Sequence, residues 1–111
     1  MNIDHQELRT QLKLSAQRAL LGMIYPSIRG IAIGSLERKT FKIIVYLDRP
    51  PTVEDFENVS DIAGEILADM NFVNTEEKCE FITAPISKLD KLDFWAYVRK
   101  ESSLMRELKL S

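Results

Sequence analysis

Apolar and polar residues alternate at two different spacings along this chain, and each spacing predicts a different kind of element. Near the start, apolar side chains recur every three or four residues behind Asp4 and Glu7, which form a capping-box-like pair. This pattern predicts an amphipathic helix over residues 4–22. Gly22 and Pro26 are typical of the end of such a helix.

The next apolar run has a period of two, which is the spacing of a half-buried strand. It predicts two strands, over about 28–34 and 40–47. The short polar segment 35–39 joins them. We therefore expect an antiparallel hairpin at this place in the chain.

A second helix and a second pair of strands follow. Thr52 and Asp55 repeat the capping signature, and the helical spacing that resumes after them predicts a helix over 53–69. Its predicted apolar stripe consists of Val53, Phe56, Val59, Ala63, Ile66, Leu67 and Met70. Strands are predicted over about 78–83 and 93–100, so that each half of the chain is expected to be a helix followed by a hairpin.

The predicted order of elements is α-β-β-α-β-β, which is typical of the α+β class. A chain of 111 residues has room for one hydrophobic core. A four-stranded, mainly antiparallel sheet with two helices on one face buries both helix stripes at once. We expect a single domain over residues 1–101 and a C-terminal tail, residues 102–111, that is a short helix or a frayed end.

The residue counts argue against most kinds of catalytic site. His5 and Cys79 are the only histidine and cysteine, too few for a zinc site, and nothing in the pattern brings them together as a catalytic pair. We therefore predict no catalytic residues, no metal site and no cofactor. Counting alone leaves open an enzyme with a carboxylate-only site for magnesium or calcium, which a calorimetric titration with divalent metal would expose.

The sequence also predicts where the protein acts. Its longest apolar runs fall far short of the roughly 20 residues of a membrane-spanning helix, and its first residues do not form a secretory signal. A single cysteine is typical of a protein kept in a reducing compartment. We expect a cytoplasmic protein with no membrane partner. With a net charge of −2, we expect no nucleic-acid partner either.

Charge is distributed unevenly along the chain. Residues 1–50 contain eight basic residues (Lys or Arg) and four acidic residues (Asp or Glu), a net charge of +4. Residues 51–100 contain five basic and eleven acidic residues, a net charge of −6. From Pro50 through Glu77 there is no Lys or Arg at all. The acidic half of the chain is therefore a candidate surface for a cationic partner.

Three carboxylates within this acidic run follow one another at helical spacing, Asp61, Glu65 and Asp69. Like charges at i, i+4 cost a helix roughly 0.2–0.5 kcal/mol per pair, so their arrangement favours a role in binding a cationic partner. Glu76 and Glu77 extend the candidate surface. The alternative is a plain solvated face whose charge is relieved by Arg or Lys from the first half of the chain.

The last predicted strand offers a second candidate surface. Alternation places Trp95, Tyr97 and Arg99 on one face of this strand. The second strand would add Lys42, Ile44 and Tyr46 on the corresponding face. An aromatic and basic patch of this kind suits protein contact. The alternative is that some of these rings are core and that the sheet is covered by the tail or by a second copy of the chain.

Several short segments give the chain a resemblance to a known family. They are Leu21-Gly22, Ile28-Arg29-Gly30-Ile31-Ala32, Tyr46-Leu47-Asp48, Pro51-Thr52-Val53-Glu54-Asp55, Ala63-Gly64-Glu65-Ile66-Leu67-Ala68-Asp69 and Tyr97-Val98-Arg99-Lys100-Glu101. The pattern, over residues 19–101, resembles small bacterial proteins that accompany polymorphic toxins, including immunity proteins of contact-dependent growth inhibition systems. It is a similarity of pattern and includes no catalytic motif.

The resemblance implies a protein that binds the toxic C-terminal domain of a cognate toxin and blocks its active site or its access to substrate. Such toxin domains are often nucleases, whose substrate surfaces are basic. The charge and aromatic arguments supply the candidate partner-binding residues, Asp61, Glu65, Asp69, Glu76, Glu77, Trp95 and Tyr97. The alternative function is a small cytosolic adaptor or regulatory module unrelated to toxins, and a neighbouring toxin gene, or its absence, discriminates between the two.

Overall fold

The computed structural model describes residues 5–37 and 39–101, with the backbone alone at His5, Leu36 and Glu37. The predicted cap Asp4, the His5 side chain and the predicted tail 102–111 lie outside the described part. The elements, in order, are α1 (His5–Ala19), β1 (Ile28–Glu37), β2 (Thr40–Leu47), α2 (Val53–Met70), β3 (Asn74–Phe81), a short 3₁₀ helix (Ile86–Lys88) and β4 (Phe94–Val98). Among these residues, no helix is long and apolar enough to cross a membrane.

The fold class is α+β, as predicted, and the described strands form one mixed sheet in the order β3-β2-β1-β4. The predicted hairpin is confirmed, since β1 pairs antiparallel with β2. β4 also pairs antiparallel with β1. β3 runs parallel to β2 along its whole length, which corrects the expectation of a mainly antiparallel sheet built from two hairpins.

The predicted second hairpin is wrong because β3 and β4 lie at opposite edges of the sheet. The 18 residues of α2 rise about 1.5 Å each, so the helix carries the chain back along β2 by about 27 Å. β3 then starts from the same end as β2 and runs beside it in parallel. The segment 82–93 crosses the sheet and delivers β4 to the far edge.

Both helices pack on one face of the sheet, as predicted. The core between helices and sheet contains apolar side chains from both layers, and those from the helices include Leu12, Ala16, Val59, Ile62 and Ile66. The sheet contributes Ile28, Ile31, Ile33, Phe41, Ile43, Val45 and Leu47. Alternate residues of β1 and β2 therefore face the helices, as the period of two requires.

The opposite face of the sheet is covered by the connection between β3 and β4. Ile82, Leu89 and Leu92 of this connection pack with Trp95 against the buried residues Ala32, Ile44 and Tyr46. The Tyr46 hydroxyl donates to the carbonyl oxygen of Asp90 at 2.8 Å. Ile44 and Tyr46 are thus core residues, and a segment of the sheet's own connection packs over them.

Candidate functional site

Helix α2 is held at its N-terminus by the buried carboxylate of Asp55. Arg49 donates to it from Nη1 at 2.6 Å and from Nη2 at 3.0 Å. The Tyr25 hydroxyl donates at 2.5 Å, and the backbone N–H of Thr52 donates at 2.7 Å, in the capping arrangement predicted from the sequence. The hydrogen bonds from Arg49 hold the pKa of Asp55 well below its usual range. All of these contacts fix the start of the helix.

Two members of the predicted acidic stripe, Asp61 and Glu65, lie exposed on the outer side of α2. Within the described part of the chain, neither makes an ion pair. An i, i+4 step rotates a helix by about 40°, so the stripe turns gradually toward α1 along the length of α2. Asp61 therefore points furthest outward, and the next members lie progressively closer to α1.

Asp69, the third member of the stripe, is paired within the protein. Arg18 of α1 donates from Nη2 to its Oδ2. Hydrogen bonding from Ser15 and then from Arg18 lowers the pKa of Asp69. These contacts offset the unfavourable position of a carboxylate at a helix C-terminus. For Asp69, the alternative of charge relief from the first half of the chain is what the structure shows.

Glu76 and Glu77 point to opposite faces of β3 because neighbouring residues of a strand alternate. Glu77 is on the α2 side, where its carboxylate accepts a hydrogen bond from the Ser60 hydroxyl at 2.6 Å. Glu76 is exposed on the other side, in register with Lys42 of β2. The structure therefore places Glu77 beside the helix surface and Glu76 away from it.

Trp95 and Tyr97 also lie on opposite faces, which differs from the expectation of a shared patch. Tyr97 pairs with Ile31 and Trp95 with Ala32, so the register of β4 shifts by one residue between them. A one-residue shift exchanges the faces of a strand. Tyr97 consequently packs against the helix-side core and Trp95 against the opposite cluster, and both are half-buried.

Arg99, the basic member of the predicted patch, is engaged in an ionic network. It donates to Asp48 Oδ2 at 2.6 Å and to Glu101 Oε2 at 2.9 Å. Glu101 also accepts two hydrogen bonds from Arg29, at 2.9 and 3.0 Å, and Arg29 is buried. The hydrogen bonds from Arg29 lower the pKa of Glu101. This network joins the end of β4 to β1 and makes Arg99 a structural residue.

Three exposed apolar side chains, at the start of α2 and the end of β3, were missed by the sequence analysis. Val53 is 73% exposed, Phe56 49% and Phe81 47%. Helical spacing assigned Val53 and Phe56 to the buried stripe. The buried face of α2 consists of Asp55, Val59, Ile62, Ala63 and Ile66. At about 100° per residue, Val53 and Phe56 lie to one side of this face.

Cys79 is the single cysteine of the chain, and its thiol is partly buried in the structure. Its Sγ lies 3.6 Å from the carbonyl oxygen of Asp55, to which the thiol donates. Burial raises the pKa of the Cys79 thiol to about 11. The thiol is therefore protonated at neutral pH and is a poor nucleophile.

Comparison with protein families supplies the decisive observation. The model of a family described as MafI2 immunity protein matches residues 9–101, from the second turn of α1 to Glu101 beyond β4. The chain belongs to the MafI2 immunity protein family. An immunity protein neutralises a toxin, so binding a cognate toxin protein is the function of this chain. The predicted immunity role and protein partner are confirmed at this level.

Other comparisons add little to the family assignment. The search among curated proteins finds no match. Among solved structures, the copper form of MamM CTD is similar at 16% identity, with 81% of this chain and 97% of that chain covered and a TM-score of 0.48. A point variant of MamM CTD is similar at 17% identity, with 83% of this chain and 95% of that chain covered and a TM-score of 0.48. Likenesses at TM-scores this low carry no information about the function of the immunity protein.

Proposed function

We propose that this immunity protein is a non-enzymatic inhibitor that acts in the cytoplasm. In this proposal it binds the toxic C-terminal domain of its cognate toxin and covers the active site or substrate surface of a nuclease. The toxin belongs to a polymorphic-toxin system of the contact-dependent growth inhibition type, as the resembling segments of the sequence suggest. The single observation that carries the proposal is the exposed acidic surface on the outer side of α2, where Asp61 and Glu65 make no ion pair with any described residue.

That surface has the charge required to face a nucleic-acid-binding site. A nuclease holds the phosphate backbone with Lys and Arg, and an inhibitor of opposite charge competes for the same groups. Asp61 and Glu65 are exposed, and no Lys or Arg lies between Pro50 and Glu77 to neutralise them locally. Glu54 and Glu57 extend the same exposed surface toward the start of the helix.

The acidic surface is also rigid before it meets a partner. α2 is anchored at its start by Asp55 with Arg49 and at its end by the contact between Arg18 and Asp69. A surface that is already ordered loses little conformational freedom on binding, which favours tight association. We therefore assign partner contact to Asp61 and Glu65, with Glu77 at the edge of the same surface.

The other residues predicted to bind the partner have weaker support. Asp69 is engaged with Arg18, and Glu76 projects from the opposite side of β3. Trp95 and Tyr97 are half-buried on separate faces of the sheet, so they do not form a shared contact. A partner that docks on α2 leaves these side chains outside the central contact.

The chemistry of the described residues favours an inhibitor over an enzyme. Cys79 has a raised pKa, and Asp55 is saturated with hydrogen bonds. In the ranges 5–37 and 39–101, no group of three or more His, Cys, Asp or Glu is placed to hold a metal ion.

The proposal is tested with the purified C-terminal domain of the toxin encoded beside the gene for this protein. Its cleavage of RNA and of DNA is measured while the immunity protein is titrated in. We expect one of these activities to be present and to fall to zero at one equivalent. The variant Glu76→Gln, on the opposite side of β3, serves as a control and inhibits equally. A toxin domain without nuclease activity, or cleavage that persists at saturation, contradicts the proposal.

A further inference from the structure

An apolar cluster lies directly beside the acidic surface, at the start of α2 and the end of β3. Its members are Val53, Phe56 and Phe81, each about half exposed or more. Single apolar residues on a protein surface are ordinary. A group that contains two aromatic rings and borders a charged surface is instead typical of a site for protein contact.

The packing of α2 on β3 brings the members of this apolar cluster to one place. Ser60 of α2 contacts Glu77 of β3, and the Asp55 carbonyl contacts Cys79, so the helix and strand run in opposite directions. Phe56 is one helical turn before Ser60 and lies on the same side of α2. Phe81 follows Glu77 and Cys79 on the same face of β3. β3 is the edge strand, so no described element lies beyond it.

The base of the apolar cluster is rigid. Phe81 pairs with Leu47, the last residue of β2, and Arg49 follows two residues later with its bidentate contact to Asp55. Asp55 lies between Val53 and Phe56 in the first turn of α2. The three apolar side chains therefore project from backbone that is already fixed, as the central residues of tight interfaces do.

The rim of the apolar cluster is acidic. Glu57 is exposed at i+4 from Val53, and Glu77 is exposed on the same face of β3 as Phe81, four residues before it. A complementary partner has an apolar side chain at its centre and Lys or Arg around it. This is the arrangement expected of a basic toxin surface that presents an apolar or aromatic residue.

We propose that Val53, Phe56 and Phe81 form the apolar anchor site of the toxin-binding surface, which receives an apolar or aromatic side chain from the basic face of the toxin domain. This inference rests on the proposed function, because it takes the acidic surface of α2 as the place of contact. The apolar cluster supplies the lifetime of the complex, and the carboxylates around it supply the rate of encounter.

The test compares Phe56→Ser and Phe81→Ser with Leu14→Ser, binding each to a catalytically inactivated toxin domain. Leu14 is a matched control, since it is 51% exposed on the outer side of α1. We expect each Phe variant to raise Kd about tenfold or more, as the loss of a central aromatic residue does. The change is expected in the dissociation rate, with the association rate and its salt dependence unchanged. Leu14→Ser is expected to bind like the wild type.

Two outcomes overturn the inference. One is a Kd for both Phe variants within about twofold of the wild type, which is the range expected of exposed residues outside a hot spot. The other is a wild-type protein that sediments as a dimer and becomes monomeric in the Phe variants, because the apolar cluster then binds a second copy of the chain. Oxidative footprinting of the wild-type complex adds a test that needs no variant, with Phe56 and Phe81 protected by the toxin domain.

The same measurements separate this inference from the proposed function. If the Phe variants bind normally while neutralising Asp61 and Glu65 slows association, the proposed function stands and the anchor site is wrong. If the Phe variants dissociate faster while the charge changes have no effect, the contact lies here but the electrostatic basis of the proposed function is wrong.

Discussion

Replacing Asp55 by Asn removes the charge that fixes the start of α2. The carboxylate accepts hydrogen bonds from Arg49, Tyr25 and both the backbone and hydroxyl of Thr52. An amide has one acceptor oxygen and two N–H donors, so two or three of these five hydrogen bonds are lost, depending on which oxygen is replaced. Breaking a buried ion pair costs about 3–5 kcal/mol, and the 38% exposure of the Arg49 side chain lets water recover part of this. We expect a loss of about 2–4 kcal/mol.

The loss is measured by urea and thermal unfolding, followed by circular dichroism. For a protein of this size it corresponds to a drop in Tm of roughly 10–20 °C. Glu57→Gln is the matched control, because Glu57 is exposed on the same helix, and it is expected to change stability by less than about 0.5 kcal/mol. A loss below about 1 kcal/mol for Asp55→Asn would refute the role given to the Asp55 contacts.

The pH dependence supplies an independent check of the same contacts. The pKa of Asp55 lies below its ordinary value of 3.8 in the folded state, so the unfolded state binds a proton more readily. The stabilisation is therefore complete above about pH 5 and is lost as pH falls from there toward the folded pKa. Asp69 and Glu101 shift in the same direction, so the comparison with Asp55→Asn isolates the part due to Asp55. We expect the variant to lose less stability between about pH 5 and pH 2 than the wild type.

Two further substitutions and one measurement of thiol reactivity test the remaining contacts. Glu101→Gln leaves the buried Arg29 without its charged partner and is expected to cost about 2–4 kcal/mol in urea unfolding, whereas an unchanged midpoint contradicts the network. Gly30→Ala places a Cβ 2.9 Å from the Trp95 ring, so we expect a loss of about 1–3 kcal/mol and a shift in tryptophan fluorescence, and a wild-type spectrum contradicts this packing. Cys79, whose pKa is raised to about 11, is expected to react with a thiol reagent at neutral pH far more slowly than free cysteine until the protein is unfolded by urea.

The local elements of this fold are well predicted by the sequence. Apolar spacing and the pair Thr52 and Asp55 gave α2 within one residue at its end, and the alternation from Phe41 to Leu47 gave β2. These signals are local, because capping and strand alternation depend on neighbours in the chain. The placement of both helices on one face follows from their apolar stripes.

The pairing of β3 and β4 was not predictable from the same local signals. β3 starts at Asn74, earlier than expected, because an edge strand with polar side chains such as Glu76 and Lys78 carries little apolar alternation. The parallel pairing depends on the return path of α2. The cover on the second face depends on Ile82, Leu89 and Leu92, which are too widely spaced in the connection to form a periodic pattern.

The candidate surface was predictable in part. The acidic run identified Asp61 and Glu65 as exposed charges, but the spacing that grouped them with Asp69 contained nothing about Arg18, which is 51 residues away in the chain. The separation of Trp95 from Tyr97 results from a bulge, and a bulge of one residue leaves no mark in a short apolar strand. Val53 and Phe56 fit the predicted helical stripe, and only the tertiary packing, which buries Asp55 of the same turn, decides that they are exposed.

The central claim is that the carboxylates on α2 steer a basic toxin domain onto this surface. It is tested most directly by the association rate of the inactivated toxin domain with the variant Asp61→Asn/Glu65→Gln over a range of salt concentrations. Each charge is worth about 0.5 kcal/mol to a partner charge about 8 Å away in water, so two charges correspond to a roughly fivefold slower association at low salt. We also expect a weaker salt dependence and an unchanged Tm, with Glu76→Gln behaving like the wild type. Identical association rates and salt dependence for the double variant and the wild type would contradict the account.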